Sequence, residues 1–205
     1  MAEGRERDHP RTELDERAEL DDRLMTAVQG GDVSRLGMLF ERHHRPLFNF
    51  FLRLTGDRQA SEDMVQDVFL RMLKYRATYR PGSQFRTWMY HLARNVRIDR
   101  MRARPPEVEL DTASHDPPSG DASPGEIVDR DEQAALLRRA MARLPEDKRE
   151  LLVLSRFQGL KYEQVGELLG CEVGAVKVRV HRAVKALRTI VLDLTGERTS
   201  CSANS

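Results

Sequence analysis

The stretch Cys171 to Arg188 reads CEVGAVKVRVHRAVKALR. Val176, Val178 and Val180 alternate with Lys177 and Arg179, as in a half-buried strand. A helical period explains more of it. At about 100° per residue, Val176, Val180, Ala183, Val184, Leu187 and Val191 fall within one stripe about 100° wide. Lys177, His181, Arg182, Lys185 and Arg188 lie opposite. Alternation stops at Val180 while the helical period runs on to Val191, so the segment reads as an amphipathic helix over 173–192. Val178 is the anomaly, an apolar residue in the middle of the basic face.

The residues before it give this helix a context. Tyr162 to Leu169 reads as a short helix, and Gly170-Cys171-Glu172 as a turn. Gly170 suits a left-handed helix end, and Gly166 lets two helix backbones approach closely. Val165, Leu168, Leu169 and Val176 can fill the angle between the helices. Short helix, tight turn and basic second helix make a helix-turn-helix, whose second helix enters the major groove of DNA. The competing reading is a helical hairpin with a solvated basic face. In the groove, Ala175, Lys177, Val178, His181 and Arg182 would stand near the reading end, while other cations would meet phosphates. Val178 reads either as a contact for a thymine methyl or as a surface valine.

The remaining chain is helical too. It has 205 residues, 33% of them charged, and a net charge of +1. The charge is uneven. Arg86–Arg104 holds six arginines and one acid, whereas Glu107–Glu126 holds six acids and no Lys or Arg. Five of the nine prolines fall between Pro105 and Gly125, which reads as a flexible acidic linker. Gly30-Gly31, Gly56-Asp57 and Arg80-Pro81-Gly82-Ser83 cut the first half into helices at about 20–29, 32–55, 59–77 and 84–103. Further helices are expected at about 127–144, 146–158 and 161–169. The expected architecture is all-α. It comprises a disordered extension (1–19), a helical domain (20–104), a linker (105–126), a second helical domain (127–192) and a disordered tail (193–205). The two domains are expected to fold independently and to move about the linker. The acidic linker and N-terminus are expected to cover the basic patches.

Two faces in the first domain stand out. In SEDMVQDVFLRMLKY, Val65, Val68, Phe69, Met72 and Tyr75 share a buried side, while Asp63, Gln66, Asp67 and Leu70 point away. An exposed Leu beside two carboxylates hints at docking against a basic partner. In FRTWMYHLARNVRIDRMR, Trp88, Met89, Leu92 and Val96 form the apolar stripe. Tyr90, Arg94 and Arg97 lie opposite it, with Asn95 at the flank. Arginines interleaved with an aromatic suit single-stranded nucleic acid, the cations meeting phosphates and the ring stacking on a base.

No chemistry of its own emerges. His43 and His44 are adjacent, so they point about 100° apart on a helix and cannot share one ion. No metal-binding or phosphate-loop motif occurs, no cofactor is expected, and the protein is read as a non-enzyme. Two cysteines, Cys171 and Cys201, give no disulfide framework, and neither a signal peptide nor a membrane span is expected. A cytoplasmic location is expected.

DMVQDVFLRMLKY, FRTWMYHLARNVRIDRMR and LPEDKRELLVLSRFQGLKYEQVGELLGCEVGAVKVRVHRAVKALR, in that order, resemble a bacterial RNA polymerase sigma factor of the extracytoplasmic-function group. The resemblance covers about 20–104 and 127–190 and implies two helical domains, regions 2 and 4. It implies that Asp63, Gln66 and Asp67, with Phe69 and Leu70, dock on the clamp helices of the polymerase largest subunit. It also implies that Phe85 and the loop before it, with Trp88, Arg94, Asn95 and Arg97, open and read the promoter −10 element. The helix from Val173 would read the −35 element, and an anti-sigma factor would be a further partner. Ala175-Val176-Lys177-Val178-Arg179 departs from the Thr-Val-Lys-Ser-Arg that is frequent in the family, and Lys161 stands where a Ser commonly caps. A stand-alone helix-turn-helix repressor or activator is the alternative.

Overall fold

The computed structural model describes residues 13–82, 84–103 and 124–196. Linker residues 105–123, the tail from 197 on with Cys201, and the extension before Glu13 therefore lie outside the described residues, whereas a helix already begins at Pro124, inside the expected linker, and the last helix runs to Thr195, into the expected tail. The described elements are helical: α1 (Glu13–Gln29), α2 (Arg35–Thr55), α3 (Arg58–Lys74), a 3-10 turn (Arg76–Thr78), α4 (Phe85–Ala103), α5 (Pro124–Ala142), α6 (Glu146–Leu152), α7 (Tyr162–Leu169) and α8 (Val173–Thr195). A π-helical segment, Val153–Phe157, continues α6. No strand occurs among the described residues.

Helices α1–α4 form one unit around Met25, Leu39, Phe50, Phe51, Met64, Val68, Met72 and Met89. The turn between α2 and α3 follows from its residues. Gly56 takes φ 71° and returns its N–H to Leu52 O, and Asp57 then caps α3 by accepting from Ala60 N at 2.9 Å. Helix α1 begins at Glu13 rather than at about residue 20. Its polar early turns are held by polar partners, which hydrophobic periodicity cannot register. Arg42 donates to Arg17 O at 3.3 Å and to Asp21 at 2.6 Å, and His43 Nε2 lies 2.8 Å from the other Asp21 oxygen. Burial alone would raise the Asp21 pKa. The bonds from His43 and Arg42 outweigh it and hold the carboxyl below its ordinary value.

Helices α5–α8 form the second unit. Gly166 is where α7 meets the turn. A Cβ built there would stand 2.6 Å from Cys171 O, and Cys171 N donates back to Gly166 O at 2.9 Å. Gly170 ends α7 at φ 64°. Lys161 contributes no side-chain cap. Gln164 Oε1 instead accepts from Lys161 N at 2.8 Å, which is half of a capping box made without a hydroxyl. Val176, Val180 and Ala183 are buried as the stripe requires. Val184, at the edge of the stripe, is exposed.

The two units do not stand apart. One face of α4, carrying Arg86, Thr87, Tyr90, Arg94 and Arg97, packs on the second unit. Tyr90 OH donates to Gln158 Oε1 at 2.7 Å, and Gln164 Nε2 donates to Thr87 Oγ1 at 3.2 Å. Arg86 donates to Gln158 O and Arg94 to Leu168 O. Arg149 of α6 donates to Leu54 O at the end of α2, at 3.0 Å, and the Arg53 guanidinium lies 4.6 Å from the centre of the Phe157 ring. The sequence leads to an expectation of separate, freely moving domains; in the form described, these contacts pack the two units together. Bonds between residues 68 to 95 apart leave no local trace in sequence.

Candidate nucleic-acid interface

Helix α8 presents Lys177, Val178, His181 and Arg182 to solvent, with Ala175 half-buried beside them. Val178 is 50% exposed. The cations are therefore free to meet phosphates, and the Val178 methyls are free to meet a base edge. For a face that reads DNA, two outcomes follow on a panel of binding-site variants. Lys177→Ala should weaken all sequences alike and reduce the salt slope by about one unit. Val178→Ser should cost about 1 kcal/mol at a single base pair. Unaltered preference at every position would make Val178 a surface valine only.

On α3, Gln66, Asp67 and Leu70 are exposed, Leu70 at 64%, while Phe69 is buried. Phe69 thus supports the face from beneath, its ring 5.0 Å from that of Phe40. Asp63 is half-buried and accepts from Arg100 Nη2 at 3.0 Å, and that bond, with one from Gln59, lowers its pKa. Phe40, 37% exposed and stacked on His44 at 5.0 Å, extends the same apolar surface onto α2 and was not singled out from sequence. The two adjacent histidines are engaged separately: His43 with Asp21 and His44 Nδ1 with Phe40 O at 2.8 Å.

Helix α4 divides the remaining candidates. Phe85 and Trp88 pack with Tyr79, whose ring centre lies 5.2 Å from that of Trp88; Phe85 is buried and Trp88 half-buried. Tyr90, expected to be an exposed stacking ring, is 0% exposed and sits edge-on to Phe50 at 5.2 Å. Burial pushes its hydroxyl pKa up. Arg94 and Arg97 are not free either. Both bond Glu150, from Arg94 Nε at 3.0 Å and Arg97 Nη2 at 3.3 Å, and Arg97 also pairs with Glu146. The acids that meet these arginines therefore come from α6. Residues 105–123 of the linker expected to cover them lie outside the described residues. Asn95, around the helix from this face, is exposed. It lines a cleft with Arg71, Tyr75, Thr78, Leu92, Ile98, Asp99 and Arg102. Tyr75, expected on the buried side of α3, is 40% exposed with Lys74 Nζ 5.3 Å from its ring centre. The aromatic next to Asn95 is thus Tyr75, a residue the helical period missed.

Among the described residues, no helix is long and apolar enough to cross a membrane. A family model described as Sigma-70 region 2 matches residues 39–105, and one described as Sigma-70, region 4 matches 134–187. The RNA polymerase sigma-H factor of Pseudomonas aeruginosa is 30% identical over 178 residues, covering 82% of this chain and 92% of that protein. The RNA polymerase sigma factor CarQ of Myxococcus xanthus is 31% identical over 159 residues, covering 76% and 88%. The ECF RNA polymerase sigma factor SigW of Bacillus subtilis is 27% identical, covering 82% and 94%. The fold is shared with the sigma factor RpoE of Bartonella quintana, solved with the anti-sigma factor NepR. The TM-score there is 0.64 at 23% identity, covering 76% of this chain and 95% of that one. CnrH, solved with the cytosolic domain of CnrY, gives the same TM-score and identity, covering 83% and 96%.

Proposed function

This chain belongs to the extracytoplasmic-function group of sigma-70 factors, which bind core RNA polymerase and direct it to promoters, and we propose how its surfaces divide that work. The acid and apolar face of α3, Asp63, Gln66, Asp67 and Leu70 over Phe69, docks on the clamp helices of the largest polymerase subunit. The face of α8 at Ala175, Lys177, Val178, His181 and Arg182 reads the −35 element. The loop before Phe85, Asn95 and the cleft beside it, with Tyr75 as the stacking ring, receive the −10 strand. Arg94 and Arg97 add phosphate contacts once released. Catalysis remains with the polymerase, and the factor works in the cytoplasm.

One observation carries this reading: the chain exposes a basic helix face on one unit and an acidic, apolar face on the other. A stand-alone repressor uses the first and has no need of the second. Asp63→Ala with Asp67→Ala tests it. Asp67 is exposed, and half-buried Asp63 loses only surface bonds to Arg100 and Gln59, so helicity should hold and melting should drop only slightly while affinity for core falls. Unchanged core affinity would remove the docking assignment.

The packed arrangement has a functional meaning in this reading. Arg94 and Arg97 cannot meet DNA phosphate while they bond Glu150. The described form is thus a closed one, and promoter opening requires the units to part. The neighbour RpoE, solved with the anti-sigma factor NepR, supports a partner of the anti-sigma kind for this chain too.

A further inference from the structure

Helix α1 lies ahead of the residues that the region 2 model matches, yet it grips the loop that enters α4. Asp22 Oδ1 accepts from Tyr79 OH at 2.5 Å and from Phe85 N at 3.0 Å. Two turns further along, Gln29 Nε2 donates to Tyr79 O at 2.6 Å. The Tyr79 ring, 1% exposed, is wedged against Trp88 and Phe85. Between these fixed points Arg80, Pro81, Gly82 and Gln84 are exposed, with Gly82 at φ 78°. Thr78, just before Tyr79, lines the Asn95 cleft.

We propose that Asp22 is a positioning residue for −10 recognition, fixing the loop before α4 by joining the Tyr79 hydroxyl to the first N–H of that helix. The proposal rests on the reading of this loop and cleft as the −10 site. Phe85 N is one of the N-terminal amides that α4 itself cannot satisfy. A carboxylate is the best acceptor there, because it also faces the positive end of the helix dipole. By accepting from Tyr79 with the same oxygen, Asp22 ties the start of the loop to its end. Exposed Arg80, Pro81 and Gln84 are then offered to DNA from a loop whose two ends are held, and ordering them on binding costs less. Asp21, the preceding residue, ties α1 to α2 through Arg42 and His43. The adjacent acids thus have separate tasks: Asp21 seats the helix and Asp22 holds the loop.

The test is transcription with core polymerase on a panel of −10 variants behind one fixed −35 element, using Asp22→Ala, Asp22→Asn and Tyr79→Phe. Asp22→Ala should flatten −10 discrimination by about tenfold, the worth of one good hydrogen bond, while core affinity and −35 preference hold. Tyr79→Phe keeps the ring and loses one bond, so it should give a smaller loss in the same sense. Asp22→Asn retains an acceptor oxygen and should restore most of the discrimination. Lower melting with an unchanged −10 profile would make Asp22 a structural cap and overturn the proposal. If Asp22→Ala fails to fold, an unchanged profile in Tyr79→Phe overturns it instead. A wild-type protein with core-dependent transcription but no −10 preference would overturn the −10 reading itself, a failure distinct from that of Asp22.

Discussion

Glu150→Gln should open the molecule. Glu150 is 6% exposed and receives both Arg94 and Arg97. Removing its charge leaves two guanidiniums in the interface with only Glu146, on the rim, to pair with Arg97. Breaking a buried ion pair from one side costs about 3–5 kcal/mol. Here the cost falls on the closed form alone, because in the open form the arginines are hydrated. The closed-to-open ratio should drop by roughly a hundredfold or more. The interface is suited to parting, since Arg97 Nε is buried in it with no protein partner. A buried donor left unpaired offsets part of what the other bonds contribute. Small-angle scattering should show a larger radius of gyration for the variant, with helicity preserved. Binding of −10 strand DNA without polymerase should rise with it. An unchanged radius together with lower melting would mean that the two units are one permanent body.

Gly166→Ala should disable the C-terminal unit. The added Cβ would stand 2.6 Å from Cys171 O, a backbone atom that cannot swing aside, and 3.6 Å from a Val176 methyl. Either α7 or the turn must shift, at a cost of about 1–3 kcal/mol. The shift moves α8, and with it the Lys177–Arg182 face, relative to the rest of the unit. Transcription that depends on the −35 element should collapse, while core binding through α3 persists. Gly174 is the control. It lies exposed on α8 with nothing within 4 Å of a built Cβ. Gly174→Ala should leave folding intact or raise stability by about 0.5–1 kcal/mol. Equal behaviour of the two variants would show that close approach at Gly166 is irrelevant.

These two cases mark what sequence could and could not disclose. The turn around Gly166 and Gly170 was legible because its constraints are local: a small residue at a crossing and a left-handed helix end. The face of α8 was legible because a single helical period sorts its residues. Tyr90 and Tyr75 were exchanged for a physical reason. A helical wheel gives an angle; it does not say which side another unit will cover. The angle also fails past the end of the helix, and Tyr75 follows the last residue of α3. Glu150 left only a faint signal, an acid one turn from Glu146 in EDKRELL. Its partners on α4 lie more than fifty residues away, and no local pattern joins them. The same holds for Asp22, whose partners Tyr79 and Phe85 stand 57 and 63 residues on.

Footprinting promoter DNA with this chain, in the presence and absence of core polymerase, decides between a sigma factor and a free-standing DNA-binding protein. By itself the chain in the closed form should leave the −10 element unprotected, because Arg94 and Arg97 are held by Glu150, and should touch the −35 element only weakly through the exposed face of α8. With core added, protection should cover both the −35 and −10 elements, and thymines of the −10 element should become reactive as the strands part. Protection of a single helix-turn-helix site by the chain alone, unchanged when core is added, would contradict the assignment.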